Sequence, residues 1–139
     1  MLIEVIITFI ILWFLSMIIH EFGHKIGAAI QGVDSYIKIW FFGPIPSMKC
    51  IPKGVLKDKI TFYIWGGLFS AYMMLIPTII GLFFEINWLF VPAIIIAVIQ
   101  FVYSIYEAIF IERLDIKTYM IWHYVLYLAV GLITLWLVI

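Results

Sequence analysis

Four long apolar stretches, at about Leu2 to Ile19, Ile60 to Phe84, Ile86 to Ile111 and Thr118 to Ile139, leave this chain few ways to fold. Each is long enough to cross a bilayer, because a helix rises about 1.5 Å per residue and the hydrocarbon layer is about 30 Å thick. Of the 139 residues 67% are hydrophobic and 12% charged, against about 45–50% and about 25% in soluble domains. A chain this short could not hide so much apolar surface from water. The reading is an all-α membrane protein with four transmembrane helices, one integral-membrane domain over residues 1–139 whose solvent is the lipid bilayer. The first stretch is expected to continue as helix to about Ile30 and to be a retained crossing rather than a cleaved signal, since no basic residue precedes it and Glu4 stands where positive charge belongs. Zero net charge gives no sign of a nucleic-acid partner, and the single Cys50 excludes an internal disulfide.

The loops orient the spans. Lys38, Lys49, Lys53, Lys57 and Lys59 lie between the first and second stretches, and Arg113 and Lys117 between the third and fourth. The short link around Glu85 carries no basic residue. An even number of crossings separates the two basic segments, so they share a face, which the positive-inside tendency makes cytoplasmic. A multi-pass protein of the cell membrane with both termini extracytoplasmic follows. Asp58 and Asn87 are the expected N-caps of the second and third helices, Pro77 a kink and Pro92 an early helical position. In the first cytoplasmic loop, Tyr36 to Phe41 and Ile45 to Ile51 can pair as a small β-hairpin about a Gly43-Pro44 turn. The alternative is an apolar loop resting on the interface.

His20, Glu21, Phe22, Gly23 and His24 form an HExxH sequence near the cytoplasmic end of the first crossing. On a helix, histidines four apart share a face and can present imidazole nitrogens to a single Zn²⁺, with the intervening Glu beside the open coordination position. The structural alternative is a cluster of interfacial polar residues. Two of the three histidines flanking a Glu in an apolar segment argue against it, because ionisable groups buried without partners are costly.

With these residues the chain resembles the site-2 protease family of intramembrane zinc metalloproteases. Gly66, Gly67, Leu68, Phe69 and Ser70 are similar to that family's Gly-Pro-x-x-Asn element, and Leu114 with Asp115 to its Leu-Asp-Gly element. The resemblance implies a single metallopeptidase-like domain, zinc held by His20, His24 and Asp115, and a membrane-spanning or membrane-anchored protein as substrate. The chain departs from the family at Ile116, Ser70 and Glu107, which stand where Gly, Asn and a further Asn are usual. Asp115 can also be read as the N-cap of the last helix, and Glu107 and Glu112 are rival third ligands.

The expected reaction is peptide-bond hydrolysis, with Glu21 as catalytic base taking a proton from the attacking water and passing it to the leaving amine. Ser70 is a candidate contact to the oxyanion or the substrate backbone, or a hydroxyl bonded to its own helix. Gly23 with Gly27, and Gly67 with Ala71, mark close helix packing that would bring Ser70 towards the metal. A substrate segment must be extended to be cut, and an edge strand within Tyr36 to Phe41 could hold it by β-augmentation. The altered motif positions motivate the alternative of an inactive zinc-binding homologue serving as a membrane chaperone, immunity factor or complex subunit. Oligomeric state leaves no mark on the sequence.

Overall fold

A computed structural model describes residues 2–42 and 45–138 of the chain. Its elements run α1 (Leu2–Ile30), β1 (Ser35–Phe42), β2 (Ile45–Pro52), α2 (Lys59–Phe83), α3 (Asn87–Phe110) and α4 (Ile116–Val138). The first helix does continue past the apolar run, and the loop is a hairpin. Gly43 and Pro44, the expected turn, lie outside the described residues, as does the side chain of His123.

Local chemistry sets the helix ends. α1 stops at Gly32, whose φ of 73° suits a residue without Cβ; the Val33 N–H returns to the Ala28 carbonyl at 3.0 Å and the Gly32 N–H to Ala29 at 2.9 Å. Asp58 caps α2 as expected, its Oδ1 accepting from the Ile60 N–H at 2.9 Å and from Thr61 at 3.3 Å. Gln31 ties the two ends together, donating to the Gly27 and Asp58 carbonyls and accepting from the Asp58 N–H at 2.7 Å. The α2–α3 connection closes in the same way as the end of α1, with Ile86 N–H on the Gly81 carbonyl at 2.7 Å and Glu85 at φ 56°. This closure shifts the start of α3. Ile86, without a side-chain cap, is the N-cap, and Asn87, the expected cap, is the first helical residue.

Three helices, over Ile3–Ile30, Lys59–Phe83 and Asn87–Phe110, are long and apolar enough to cross a membrane. The fourth expected crossing corresponds to α4, a helix of 23 residues, within which Tyr124–Ile133 is an apolar helical stretch among the described residues. α1, α2 and α3 pack against one another, and α4 packs on α3. Beside an apolar core of Leu12, Met74, Ala93, Ile96 and Ala97, the interior holds an unusual share of polar residues while large apolar ones face outward. Ser16, His20, His24, Ser70, Thr78, Gln100, Ser104 and Glu107 are buried, whereas Ile3, Ile7, Phe14, Tyr72, Ile79 and Leu82 are exposed. Apolar surface on this scale has to be covered by something other than water.

Glycine permits the close helix contacts. A Cβ on Gly27 would stand 3.0 Å from the Phe62 Cα, and one on Gly67 would stand 2.5 Å from the Gln100 carbonyl oxygen and 2.8 Å from the Ser104 nitrogen. Each contact is with backbone, which cannot swing aside. The hairpin pairs β1 antiparallel to β2, from Ser35 opposite Pro52 to Phe42 opposite Ile45. It is seated on the helices through Cys50, buried with Ala28 and Phe62. Burial raises the Cys50 thiol above its ordinary pKa, as expected for a packed rather than a reactive cysteine.

Gly67→Ala should destabilise the protein by about 1–3 kcal/mol through overpacking. Gly131→Ala, whose new Cβ meets, among the described residues, the Ile99 side chain at 3.5 Å, should change stability little. Thermal unfolding of the two variants in one detergent checks the contrast.

Candidate metal centre

One stripe of α1, with Leu12, Ser16, His20, His24 and Ala28 spaced by four, is buried along its length. On α3 the inward stripe reads Gln100, Tyr103, Ser104 and Glu107. Where the stripes meet, His20, His24 and Glu107 bring ligand atoms within 4.8 Å of one another, and all three residues are buried. His20 Nε2 lies 3.1 Å from Glu107 Oε2, and His24 Nε2 lies 3.4 Å from the same oxygen.

Hydrogen bonding at the far side of each ring decides what these atoms can do. His24 Nδ1 is 2.8 Å from the Phe62 carbonyl, which can only accept, so Nδ1 carries the hydrogen. His20 is settled by a longer chain. The Ser16 hydroxyl donates to the Trp13 carbonyl at 2.7 Å, and its oxygen accepts from Gln100 Nε2 at 3.1 Å. That turns Gln100 Oε1 towards His20 Nδ1, 3.1 Å away, which must then donate. In the neutral rings both Nε2 atoms are therefore lone pairs aimed at a carboxylate oxygen. Three acceptors facing one point repel unless a metal ion lies among them or a proton on one imidazole is shared with the carboxylate.

A metal ion fits this donor set. Tetrahedral zinc with bonds of about 2.0–2.1 Å separates its ligand atoms by roughly 3.3 Å, close to the observed 3.1 and 3.4 Å. Two His and one Glu are a known set for catalytic zinc, and outer hydrogen bonds that fix the tautomer, here from the imidazoles to Gln100 and Phe62, are the usual companions of ligating histidines. Gly66 supplies the room: a Cβ there would run into the His24 imidazole.

Asp115 is not brought to this cluster. It is exposed and caps α4, its Oδ1 accepting from the Lys117 and Thr118 N–H groups at 3.1 Å each. The Thr118 hydroxyl, followed by these backbone donors, holds its carboxyl below the usual carboxylate range. Glu112 pairs instead with Lys59 at 2.9 Å, a contact between the ends of α3 and α2. Among the candidate acids, Glu107 is the one that reaches the histidines, because seven residues after Gln100 it projects from the same inward face of α3. Ser70 is buried, and its hydroxyl donates at 2.9 Å to the carbonyl of Ser16, one turn before His20, bridging α2 to α1.

Glu21 is half-buried beside the cluster, and its Oε2 accepts from the Cys50 N–H of β2 at 2.5 Å. Gln100 was not singled out by sequence reasoning. The available signal was an amide in an apolar span, at helical spacing from Glu107. Comparison of the chain with family models, curated proteins and solved structures gave no match.

Glu107→Ala should therefore cost more zinc affinity than the roughly 10–100-fold loss expected for Gln100→Leu, which removes an outer partner. Asp115→Ala should leave affinity unchanged, and equilibrium dialysis of the detergent-purified variants ranks the three. Because the Asp115 carboxyl is depressed from 3.8 in the folded chain, its capping is complete above that value and is lost as pH falls through the lower one. Helicity of α4 measured below pH 4 should drop in the native chain and be insensitive to pH in Asp115→Ala.

Proposed function

We propose that this protein is an intramembrane zinc metalloprotease of site-2 protease type. The bilayer covers the exposed apolar faces, α4 makes the fourth crossing, and the lysine-rich end of the bundle with the metal centre lies at the cytoplasmic face. Both chain ends then lie on the opposite side. The reading rests on one observation: two imidazoles and a carboxylate, drawn from α1 and α3, converge with their lone pairs on a single point, with a second carboxylate between the two histidines in sequence.

His20, His24 and Glu107 would hold the ion, leaving a coordination position open. A divalent ion there supplies Lewis acidity towards water and towards a peptide carbonyl. Glu21 accepts the proton of the attacking water and delivers it to the departing amine nitrogen, work of the kind that general acid–base catalysis contributes about 10²–10⁴-fold. Gln100 and Phe62 hold the rings in the ligating tautomer. The apolar shell keeps bulk water from the far side of the ligands, so the nucleophile arrives from the cytoplasmic end. A substrate helix has its carbonyls engaged in its own hydrogen bonds and must open locally to be cut; membrane-spanning or membrane-anchored proteins are the substrate class.

A second reading, a zinc-binding homologue without protease activity, draws support from Glu21 and Ser70 both being committed to backbone groups. The two readings separate on Glu21→Gln. As a protease, that variant keeps stoichiometric zinc and loses cleavage of a membrane-protein substrate by about 10²-fold or more; zinc analysis paired with a cleavage assay in proteoliposomes reads both. Unchanged function in Glu21→Gln would favour the non-enzymatic protein.

A further inference from the structure

A cavity of about 870 Å³ lies between α1, α3 and α4. It follows α3 from Asn87 to Gln100, about 20 Å at the helical rise. The hydrocarbon of one leaflet, half of the bilayer core, is about 15 Å deep, so the cavity has the reach of a single leaflet. One end lies at Val5 and Asn87, away from the lysine-rich loops, and the other at Ser16 and Gln100, the pair behind His20. Exposed Ile6, Leu128 and Leu132 share the lining with buried Ile96 and Ile99. The cavity is thereby continuous with the apolar surface that faces outward.

The lining selects the occupant. Ser16 and Gln100 are spent on each other, on the Trp13 carbonyl and on His20, and among the described residues the buried side-chain atom without a hydrogen-bond partner is Ser35 Oγ, in the hairpin. A polar ligand is therefore not called for. Water does not fill such a space, because apolar cavities of about 150 Å³ already stay dry yet admit hydrocarbon. A helix is too wide. Spread over its length the cavity has a mean section of about 45 Å², whereas a helix with its side chains, about 10–12 Å across, needs roughly 80–110 Å². A thin apolar chain of one leaflet's length fits. We infer that the cavity is a lipid site, filled by the acyl chains of one phospholipid from the leaflet opposite the lysine-rich end. The headgroup lies at the level of Asn87, and the chain ends rest against Gln100 and complete the apolar wall behind His20. The inference rests on the bilayer placement proposed above and not on peptide hydrolysis.

The test is photolabelling of the full-length protein in dioleoyl-phosphatidylcholine liposomes that carry a trace of the same lipid with a diazirine on one acyl chain, mapped by peptide mass spectrometry. A diazirine near the methyl end should label Ile96 and Ile99, which are buried from the outer surface, as well as exposed Tyr72 and Ile76 on α2. Moving the diazirine next to the ester should shift the α3 label towards Val91. Gly131 lines the cavity, and a Cβ there would meet the Ile99 side chain at 3.5 Å. Gly131→Phe should accordingly lose the label at Ile96 and Ile99 and keep that on α2. Label confined to outward faces, label at Ile99 that survives in Gly131→Phe, or α3 label displaced by an added membrane-spanning poly-leucine helix overturns the lipid site. If Gly131→Phe fails to fold, the wild-type protein decides: an α3 label that moves with the diazirine supports the site, and one that stays put overturns it. Cleavage is read in none of these arms. A protein that labels as expected but cuts no membrane substrate keeps the lipid site and loses the peptidase reading, and the opposite pair of results does the reverse.

Discussion

The His24 imidazole donates its Nδ1 hydrogen to a backbone carbonyl of the neighbouring helix, and for one ring to span that distance α1 and α2 must run nearly in contact. Gly23, Gly27 and Gly66 allow it, and Gly67 does the same between α2 and α3. From this approach the rest of the centre follows. With the backbones close, Ser70 reaches the Ser16 carbonyl, Gln100 reaches Ser16 and His20, and Glu107 arrives between the two Nε2 atoms. In an apolar interior such groups are tolerable only when every donor and acceptor is satisfied. A network in which two imidazole nitrogens face one carboxylate oxygen is satisfied by a metal cation, or by a proton on one imidazole that pairs it with Glu107.

The same placement of polar groups inside joins stability to chemistry. A bundle with serines, an amide and ionisable groups inside and isoleucines outside gains little from hydrophobic collapse once lipid surrounds it. Small-residue contacts and interhelical hydrogen bonds then carry the packing. The residues that hold the helices together are thus largely those that orient His20, His24 and Glu107. Changes at Gly67, Gln100 or Ser16 will be felt both in stability and in the geometry of that cluster.

The hairpin adds the part that the helices lack. Helices offer no free backbone donors along their sides. β2 brings one, the Cys50 N–H, to the Glu21 carboxylate beside the cluster.

Much of this was legible in the order of residues. Apolar run length marked the helices, Asp58 announced its own cap, the β-branched and aromatic residues of Tyr36 to Phe41 marked a strand, and two histidines four apart had to share a helix face. These are local properties, decided within a few residues by periodicity and sterics. The acid that joins the two histidines is different in kind. Asp115 and Glu107 are both acids at the same end of the bundle; the place of Asp115 just before an apolar helix marked it as a possible cap, but nothing in the sequence neighbourhood of Glu107 says that it turns inward. That choice depends on the rotation of α3 about its axis, which close packing against Gly67 fixes through contacts between residues more than thirty positions apart. The roles of Gln100 and of Cys50 were hidden for the same reason, since a hydrogen-bond partner 80 residues away, or a strand edge turned towards a helix, exists only after the chain has packed.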